Sequence, residues 1–162
     1  IKMLSKTEGF PGVVLRFFLV YGPGQDEKRF LPQIIKGCLE DNTFPTSAGE
    51  QLRDFCYVGD VVDALLLAAI TSEAHGQVIN IASGKPARIR DVIETIQVKV
   101  GRGQPLFGQH PYRKGENMAL YADVTKAKQL LGWAPKVSFD TGIDQCIDHM
   151  KNELTHQEKS IL

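Results

Sequence analysis

The sequence predicts an α/β protein built on parallel strands. Residues 13–20, Val-Val-Leu-Arg-Phe-Phe-Leu-Val, are almost all β-branched or aromatic. Such a run marks a strand buried on both faces of a parallel sheet. Shorter apolar runs at 54–58 and 77–82 alternate with helix-period segments at 29–40, 61–70 and 90–100, as α/β architecture requires. Directly after the first strand comes the turn Tyr21-Gly22-Pro23-Gly24-Gln25. Open parallel sheets bind ligands beyond the carboxyl ends of their strands, so the turn occupies a binding position.

In chain order, residues 1–8 read as a helix stopped by Gly9. The chain opens on Ile1 without an initiator Met, which suggests a piece of something longer or a processed terminus. Residues 29–40 form a helix that tolerates Pro32 in its first turn. Residues 43–47 are a short strand and 54–58 another. Asp60 caps the next helix, which is apolar nearly all round over 61–70 and so is expected to be buried. A strand at 77–82 carries Asn80, whose amide must be satisfied and which reads as a structural bracket. The turn 83–86 leads into an amphipathic helix at 90–100, where Ile89, Val92, Ile93, Ile96 and Val100 recur at helical spacing. Residues 101–105 read as a flexible link, 111–116 as a polar loop and 120–122 as a further short strand. Asp123 caps a helix at 124–131 that Gly132 stops. The last helix opens at Asp140 or Thr141 with Ile143, Ile147, Met150 and Leu154 on one face, and 155–162 form a tail.

The strand at 13–20 needs neighbours on both edges, yet the other strands are short. Either part of its sheet is absent from this chain, or a small α+β domain covers the strand by itself.

Composition narrows the function. The 162 residues are 43% hydrophobic and 23% charged, ordinary for a globular protein. Nineteen Lys plus Arg balance nineteen Asp plus Glu, which argues against charge-driven nucleic-acid or membrane binding. Cys38, Cys56 and Cys146 are odd in number and widely spaced, arguing against a metal site or disulfide framework and for a reducing, cytoplasmic setting. No apolar run reaches the ~18 residues of a membrane span.

One stretch combines a turn, a cation, a strand and a helix start: Gly49-Glu50-Gln51-Leu52-Arg53-Asp54-Phe55-Cys56-Tyr57-Val58-Gly59-Asp60. An arginine at the start of a buried strand faces a cleft, and its planar fork of donors suits phosphate. A surface ion pair is the alternative. Arg113 in the 111–116 loop is a second candidate of the same kind.

Four segments in this order and spacing resemble the carboxyl-terminal half of the NAD-dependent epimerase/dehydratase family, the extended short-chain dehydrogenases/reductases acting on nucleotide-diphosphate sugars. They are residues 15–25 (LRFFLVYGPGQ), 53–64 (RDFCYVGDVVDA), 78–84 (VINIASG) and 121–133 (YADVTKAKQLLGW). The resemblance covers about residues 1–154. It implies the end of a Rossmann-type sheet with its remaining parallel strands, plus a small α/β substrate-binding domain. It also implies what is missing. The family's Gly-x-x-Gly-x-x-Gly cofactor turn and its Tyr-x-x-x-Lys proton-transfer pair precede the strand at 13–20, so no catalytic residue is expected in this chain.

Family roles carry over residue by residue. Arg53 matches an arginine gripping the substrate diphosphate, and Arg113 a second one closing from the other side. Arg29 matches a polar position near the diphosphate. Phe30, Pro45 and Thr46 match positions bracketing base and ribose. Phe17 and Phe18 match residues beside the nicotinamide of NAD or NADP. Many members place a phosphate-binding asparagine where this chain has Leu19, and an acidic residue where it has Gly59.

Two classes of function follow. One is the nucleotide-sugar-binding portion of an epimerase, dehydratase or reductase, inactive alone, partnered by the missing amino-terminal half or self-associating through strand 13–20. The other is a stand-alone noncatalytic nucleotide-sugar-binding or interaction protein.

Overall fold

A computed structural model describes residues 1–160. In chain order its elements are α1 (Lys2–Glu8), β1 (Val14–Phe17), β2 (Leu19–Tyr21), α2 (Phe30–Leu39), β3 (Thr43–Pro45), β4 (Leu52–Tyr57) and α3 (Val58–Ile70). A single 3₁₀ turn (Ser72–Ala74) precedes β5 (Val78–Ile81), β6 (Pro86–Arg88), α4 (Ile89–Val100), β7 (Gln104–Leu106), β8 (Ala119–Leu120), α5 (Thr125–Leu131) and α6 (Phe139–Ser160). The chain divides into two compact units. The first comprises residues 1–20, 54–86 and 121–138; the second comprises 21–53, 87–120 and 139 onward. Strands β2, β4 and β6 follow that order in one sheet.

In the first unit β1 runs parallel to β5, with Val14 opposite Val78 and Phe17 opposite Ile81. Ile79 and Ile81 are fully buried with Cys56, Val61, Ala64, Ala68, Leu131 and Trp133. Burial of each large aliphatic side chain is worth about 1.5–3 kcal/mol. Asn80 brackets the pair as expected. It accepts a hydrogen bond from Arg16 Nε (2.9 Å) and donates to the Asp123 carbonyl (3.1 Å).

Four expectations for this unit need correction. The apolar run at 13–20 is two strands broken at Phe18, and it is not buried on both faces. Residues 14 and 15 are half-buried, Phe17 is 44% exposed, and β5 is the strand paired with β1 among the described residues. With a single partner strand, one edge and part of each face stay open. Likewise α3 is not a buried helix. Val61, Ala64 and Ala68 face the core, while Val62, Leu65, Leu66 and Ile70 are 46–81% exposed.

Nor does Asp60 cap α3. The helix begins at Val58, so Asp60 lies inside its first turn, where a negative charge still suits the helix dipole. Its buried carboxylate accepts from the amides of Lys136 and Val137 (both 3.1 Å), and its carbonyl accepts from Trp133 Nε1 (2.9 Å). The residue clasps the segment after α5 onto α3. Nor is Asp123 the cap residue of α5: Val124 holds that position, and Asp123 lies one residue before it. Its carboxylate accepts from Thr125 N (2.8 Å); the Thr125 side chain first and this amide second hold its pKa below the usual value, and α5 starts at Thr125.

The second unit is a helical layer of α2, α4 and α6. Ile34, Ile35 and Cys38 from α2 meet Val92, Ile93 and Ile96 from α4 and Ile143, Ile147 and Met150 from α6, all buried. Lys99 on α4 lies 2.8 Å from both Asp140 and Asp144 on α6. The segment expected as a flexible link instead contains β7, which pairs parallel with β3: Thr43 faces Gln104 and Pro45 faces Leu106. The turn expected at 83–86 runs directly into β6, which begins at Pro86. The expected tail is helical as far as it is described. α6 continues to Ser160, with Thr155 Oγ1 donating to Lys151 O (2.9 Å) in the usual i to i−4 pattern. Residues 161–162 of that expectation lie outside the described residues. No helix among the described residues is long and apolar enough to cross a membrane.

Candidate substrate-binding site

β4 begins with an ordinary strand signal and then departs from it. Asp54, Phe55 and Cys56 are buried in succession, and Arg53 is half-buried. At Arg53 the side chain is 13% exposed. Its Nη1 donates to the Leu52 carbonyl (2.8 Å), and its Nη2 pairs with the Glu116 carboxylate. These two contacts use two of the five guanidinium N–H donors and fix the orientation of the planar fork.

Glu116 ends the loop that also carries Arg113. The Glu116 amide donates to the Arg113 carbonyl (3.0 Å), closing a four-residue turn, and Gly115 takes the positive φ of 77° that the turn needs. Further bonds fasten this loop to the stretch before β4. Tyr112 Oη accepts from the Glu50 amide (3.0 Å), and the Leu52 amide donates to Met118 O (2.8 Å). Beyond it β8 runs parallel to β4, with Leu52 opposite Ala119 and Arg53 opposite Leu120. Arg113 itself is exposed. Residues 50–53 and residues 112–118 are thus tied at three places.

Pro45 and Thr46 join the same assembly. Pro45 ends β3 and is exposed, whereas Thr46 is 7% exposed. The Thr46 amide donates to Leu106 O (2.9 Å), and its carbonyl accepts from His110 N (3.0 Å), just ahead of the Arg113 loop. Arg29 is the exposed residue before α2, and half-buried Phe30 is the first residue of that helix. These six substrate-binding candidates all fall in the second unit, while the cofactor candidates Phe17 and Phe18 fall in the first. Phe17 is exposed at the end of β1 and Phe18 half-buried at the break before β2.

Several residues that shape the site were not singled out by the sequence. Glu116 and Tyr112 lie in a loop without periodicity. Gly49 has φ 79°, and a Cβ there would lie 2.8 Å from the Arg90 amide nitrogen, so the start of α4 fits against this stretch only through glycine. Arg90 also donates from Nε to Ala48 O (3.1 Å) and lies 3.9 Å over the Phe107 ring. Asp54, in the first unit, is fully buried. It accepts from Ser83 N, Ser83 Oγ, Gly84 N and Ala122 N at 2.6–3.4 Å, clasping the turn after β5 and the segment leading to α5. Its signal was present only as a charge inside an apolar strand.

The guanidinium donors gathered here suit anion binding. Among the described residues no group of three His, Cys, Asp or Glu could hold a metal ion. The three cysteines are free and buried. Burial pushes Cys56 up to about 12, with Asp60 and Asp54 adding to it, and burial pushes Cys146 up to about 11. None is poised as a thiolate.

Comparison with known proteins gives the same architecture a family. The model of the NAD dependent epimerase/dehydratase family matches residues 1–82. An uncharacterized UDP-glucose epimerase, YtcB, of Bacillus subtilis is 33% identical over 91% of this chain and 47% of its own length. The crystal structure of UDP-glucose 4-epimerase from Thermotoga maritima, with UDP-glucose, is 30% identical. It superposes with a TM-score of 0.86 over 94% of this chain and 50% of that one. The UDP-glucuronic acid 4-epimerase of Bacillus cereus, in complex with UDP-glucuronic acid and NAD, is 32% identical with a TM-score of 0.83, covering 93% of this chain and 48% of that one. The fold is therefore the Rossmann-type α/β fold of these enzymes. This chain belongs to the NAD dependent epimerase/dehydratase family, and it spans about half the length of the relatives it matches.

Proposed function

We propose that this chain is the nucleotide-diphosphate-sugar-binding portion of an NAD(P)-dependent sugar-nucleotide epimerase or dehydratase. The observation that carries the proposal is the fastening of half-buried Arg53 to the loop bearing Arg113. Two arginines on one bonded assembly suit a diphosphate, whose charge is fixed and whose oxygens accept planar pairs of hydrogen bonds. Arg29 adds positive charge at the start of α2. Phe30, Pro45 and Thr46 bracket base and ribose. Gripping the nonreacting diphosphate holds the sugar in place, so that binding energy is spent on orientation.

Phe17 and Phe18 flank the nicotinamide of NAD or NADP. When bound, that group supplies the hydride acceptor for the sugar ring. The 162 residues contain no Tyr-x-x-x-Lys sequence, so the proton transfer is supplied from outside this chain, and the chain alone does not turn over. The open edge of β1 and the exposed apolar face of α3 support a partner for the first unit. We assign it to an amino-terminal half carrying the cofactor turn, with self-association through residues 13–20 as its substitute when that half is absent.

Titration with UDP-, GDP-, CDP- and dTDP-sugars tests the proposal. One nucleotide series is expected to bind and the others to bind at least tenfold more weakly. Absence of binding across all four series contradicts it. Epimerase or dehydratase turnover by pure protein of intact mass 18.0 kDa would overturn the assignment of proton transfer to another polypeptide segment.

A further inference from the structure

His149, on α6, carries a ring nitrogen that the fold shuts away. Its Nε2 is closed to solvent and has no hydrogen-bond partner, although the side chain as a whole is 39% exposed. Glu153, four residues further along the helix, places Oε1 3.3 Å from that nitrogen. On the other side stands the turn after β2. Gly24 takes φ 73°, and a Cβ there would meet His149 Nε2 at 3.8 Å. The turn, α2 and α6 enclose a cavity of about 20 Å³. That is about the room one water needs, so the place is a joint between elements rather than a ligand pocket. All three elements belong to the second unit. The titratable groups lining the joint are Glu27, Cys146, His149 and Glu153; residues 22–25 and the α2 side chains add none. Glu27 is already matched by Lys36 at 2.6 Å. Burial pushes the Cys146 thiol up to about 11, which leaves it neutral. Glu153 is the carboxylate that faces the ring.

We propose that His149 and Glu153 form a proton-operated clasp that fastens the turn at 22–25 to α6. A neutral imidazole has one donor and one acceptor nitrogen. With its lone pair at Nε2 the ring turns an acceptor towards a carboxylate. With the proton there it offers only an uncharged contact. Imidazolium brings both an N–H and a charge to Glu153, roughly twice as strong an interaction, and gives the buried nitrogen its partner. The clasp acts beyond α6 because the ring it holds lies against Gly24. From that turn the chain runs through Asp26, whose carbonyl accepts from Arg29 N (2.9 Å), to the start of α2. An imidazole ordinarily takes up its proton near pH 6.5. The ion pair exists while the ring is charged, so its stabilisation is fully present well below that pH and is lost as pH rises past it. The clasp operates whether or not Arg53 and Arg113 hold a ligand.

Urea unfolding of this chain and of its His149→Gln, Glu153→Gln and His149→Gln/Glu153→Gln variants, at pH 5.5 and at pH 8.0, gives a double-mutant cycle at each pH. Coupling of about twofold in the unfolding equilibrium constant is expected at pH 5.5, the usual size for a partly exposed pair four residues apart on a helix. None is expected at pH 8.0. Contributions from His75, His110 and His156 cancel within each cycle. Nitrogen-15 relaxation of the backbone then separates a clasp from a pair confined to α6. The Gly22 and Gly24 amides should be more ordered at pH 5.5 than at pH 8.0 in the parent, and equally ordered at both in Glu153→Gln. Equal coupling at the two pH values, or none at pH 5.5, overturns the proton dependence. Coupling at pH 5.5 with Gly24 equally ordered at both pH values overturns the clasp and leaves an ordinary helix-surface pair. The Gly24 comparison needs only the parent chain, so it decides the matter even where a variant fails to fold.

Discussion

The Asp54 carboxylate accepts two hydrogen bonds from Ser83, one from its amide at 2.7 Å and one from its hydroxyl at 2.6 Å. Gly84 N and Ala122 N donate to the other oxygen. A fully buried carboxylate is tolerable only with such a set of donors. Asp54→Ala should cost about 3 kcal/mol, because it strands several buried donors at once. Urea denaturation of this variant should show a lower midpoint with an unchanged slope.

Gly49 makes a second sharp prediction. Its φ of 79° and the 2.8 Å approach to the Arg90 backbone leave no room for a side chain. Gly49→Ala should lose about 2 kcal/mol of stability through strain and steric displacement. UDP affinity should fall as well, since the same stretch carries Glu50, the partner of Tyr112. Calorimetric melting and UDP titration on one preparation would check both effects.

The buried thiols predict alkaline sensitivity. Unfolded cysteines ionise near 8.5, whereas burial raises Cys56 to about 12 and Cys146 to about 11 in the folded chain. Below the unfolded value both states hold their protons, and the contribution to stability is fully present. As pH rises past about 8.5 the unfolded chain releases protons that the folded chain keeps, so stability falls towards the folded values. Urea midpoints measured between pH 8 and 10.5 should decline, and the decline should flatten in a Cys56→Ala/Cys146→Ala variant. A thiol reagent at pH 8 should label these residues only after unfolding.

The exposed side chains on α3 define a surface prediction. Leu66 and Ile70 are 63% and 81% exposed and contribute little to the core. Leu66→Glu/Ile70→Glu should leave thermal stability within about 1 kcal/mol while reducing self-association in sedimentation experiments. Loss of folding in that variant would show the face to be internal support rather than a docking surface.

What could be read from the sequence divides along physical lines. Period-dependent features were legible, so α2, α4 and the apolar stripe of α6 stand where the spacing of Ile and Leu puts them. The Rossmann-type fold was legible through four ordered motifs. Burial was not, because periodicity reports which face is apolar and not whether anything covers it. That is why residues 13–20 and α3 were expected to be more enclosed than they are. Asp60 was misassigned because Asp before an apolar run signals a cap, whereas here its carboxylate is taken by amides 76 and 77 residues away. β7 was hidden because Gly and Pro around it mimic a link, and its strand character comes from pairing with β3. At the site the arginines were visible as charges in motifs. Their connection through Glu116 and Tyr112 depends on contacts more than sixty residues apart, which local pattern does not encode.

The central claim is that Arg53 and Arg113 hold a nucleotide diphosphate. Isothermal titration of UDP and of uridine into this chain and into Arg53→Gln and Arg113→Gln tests it most directly. UDP should bind well above uridine, and each substitution should weaken UDP by about ten- to a hundredfold, the loss of one charge-assisted contact, while leaving uridine nearly unchanged. Equal UDP affinity in the parent chain and both variants would contradict the account.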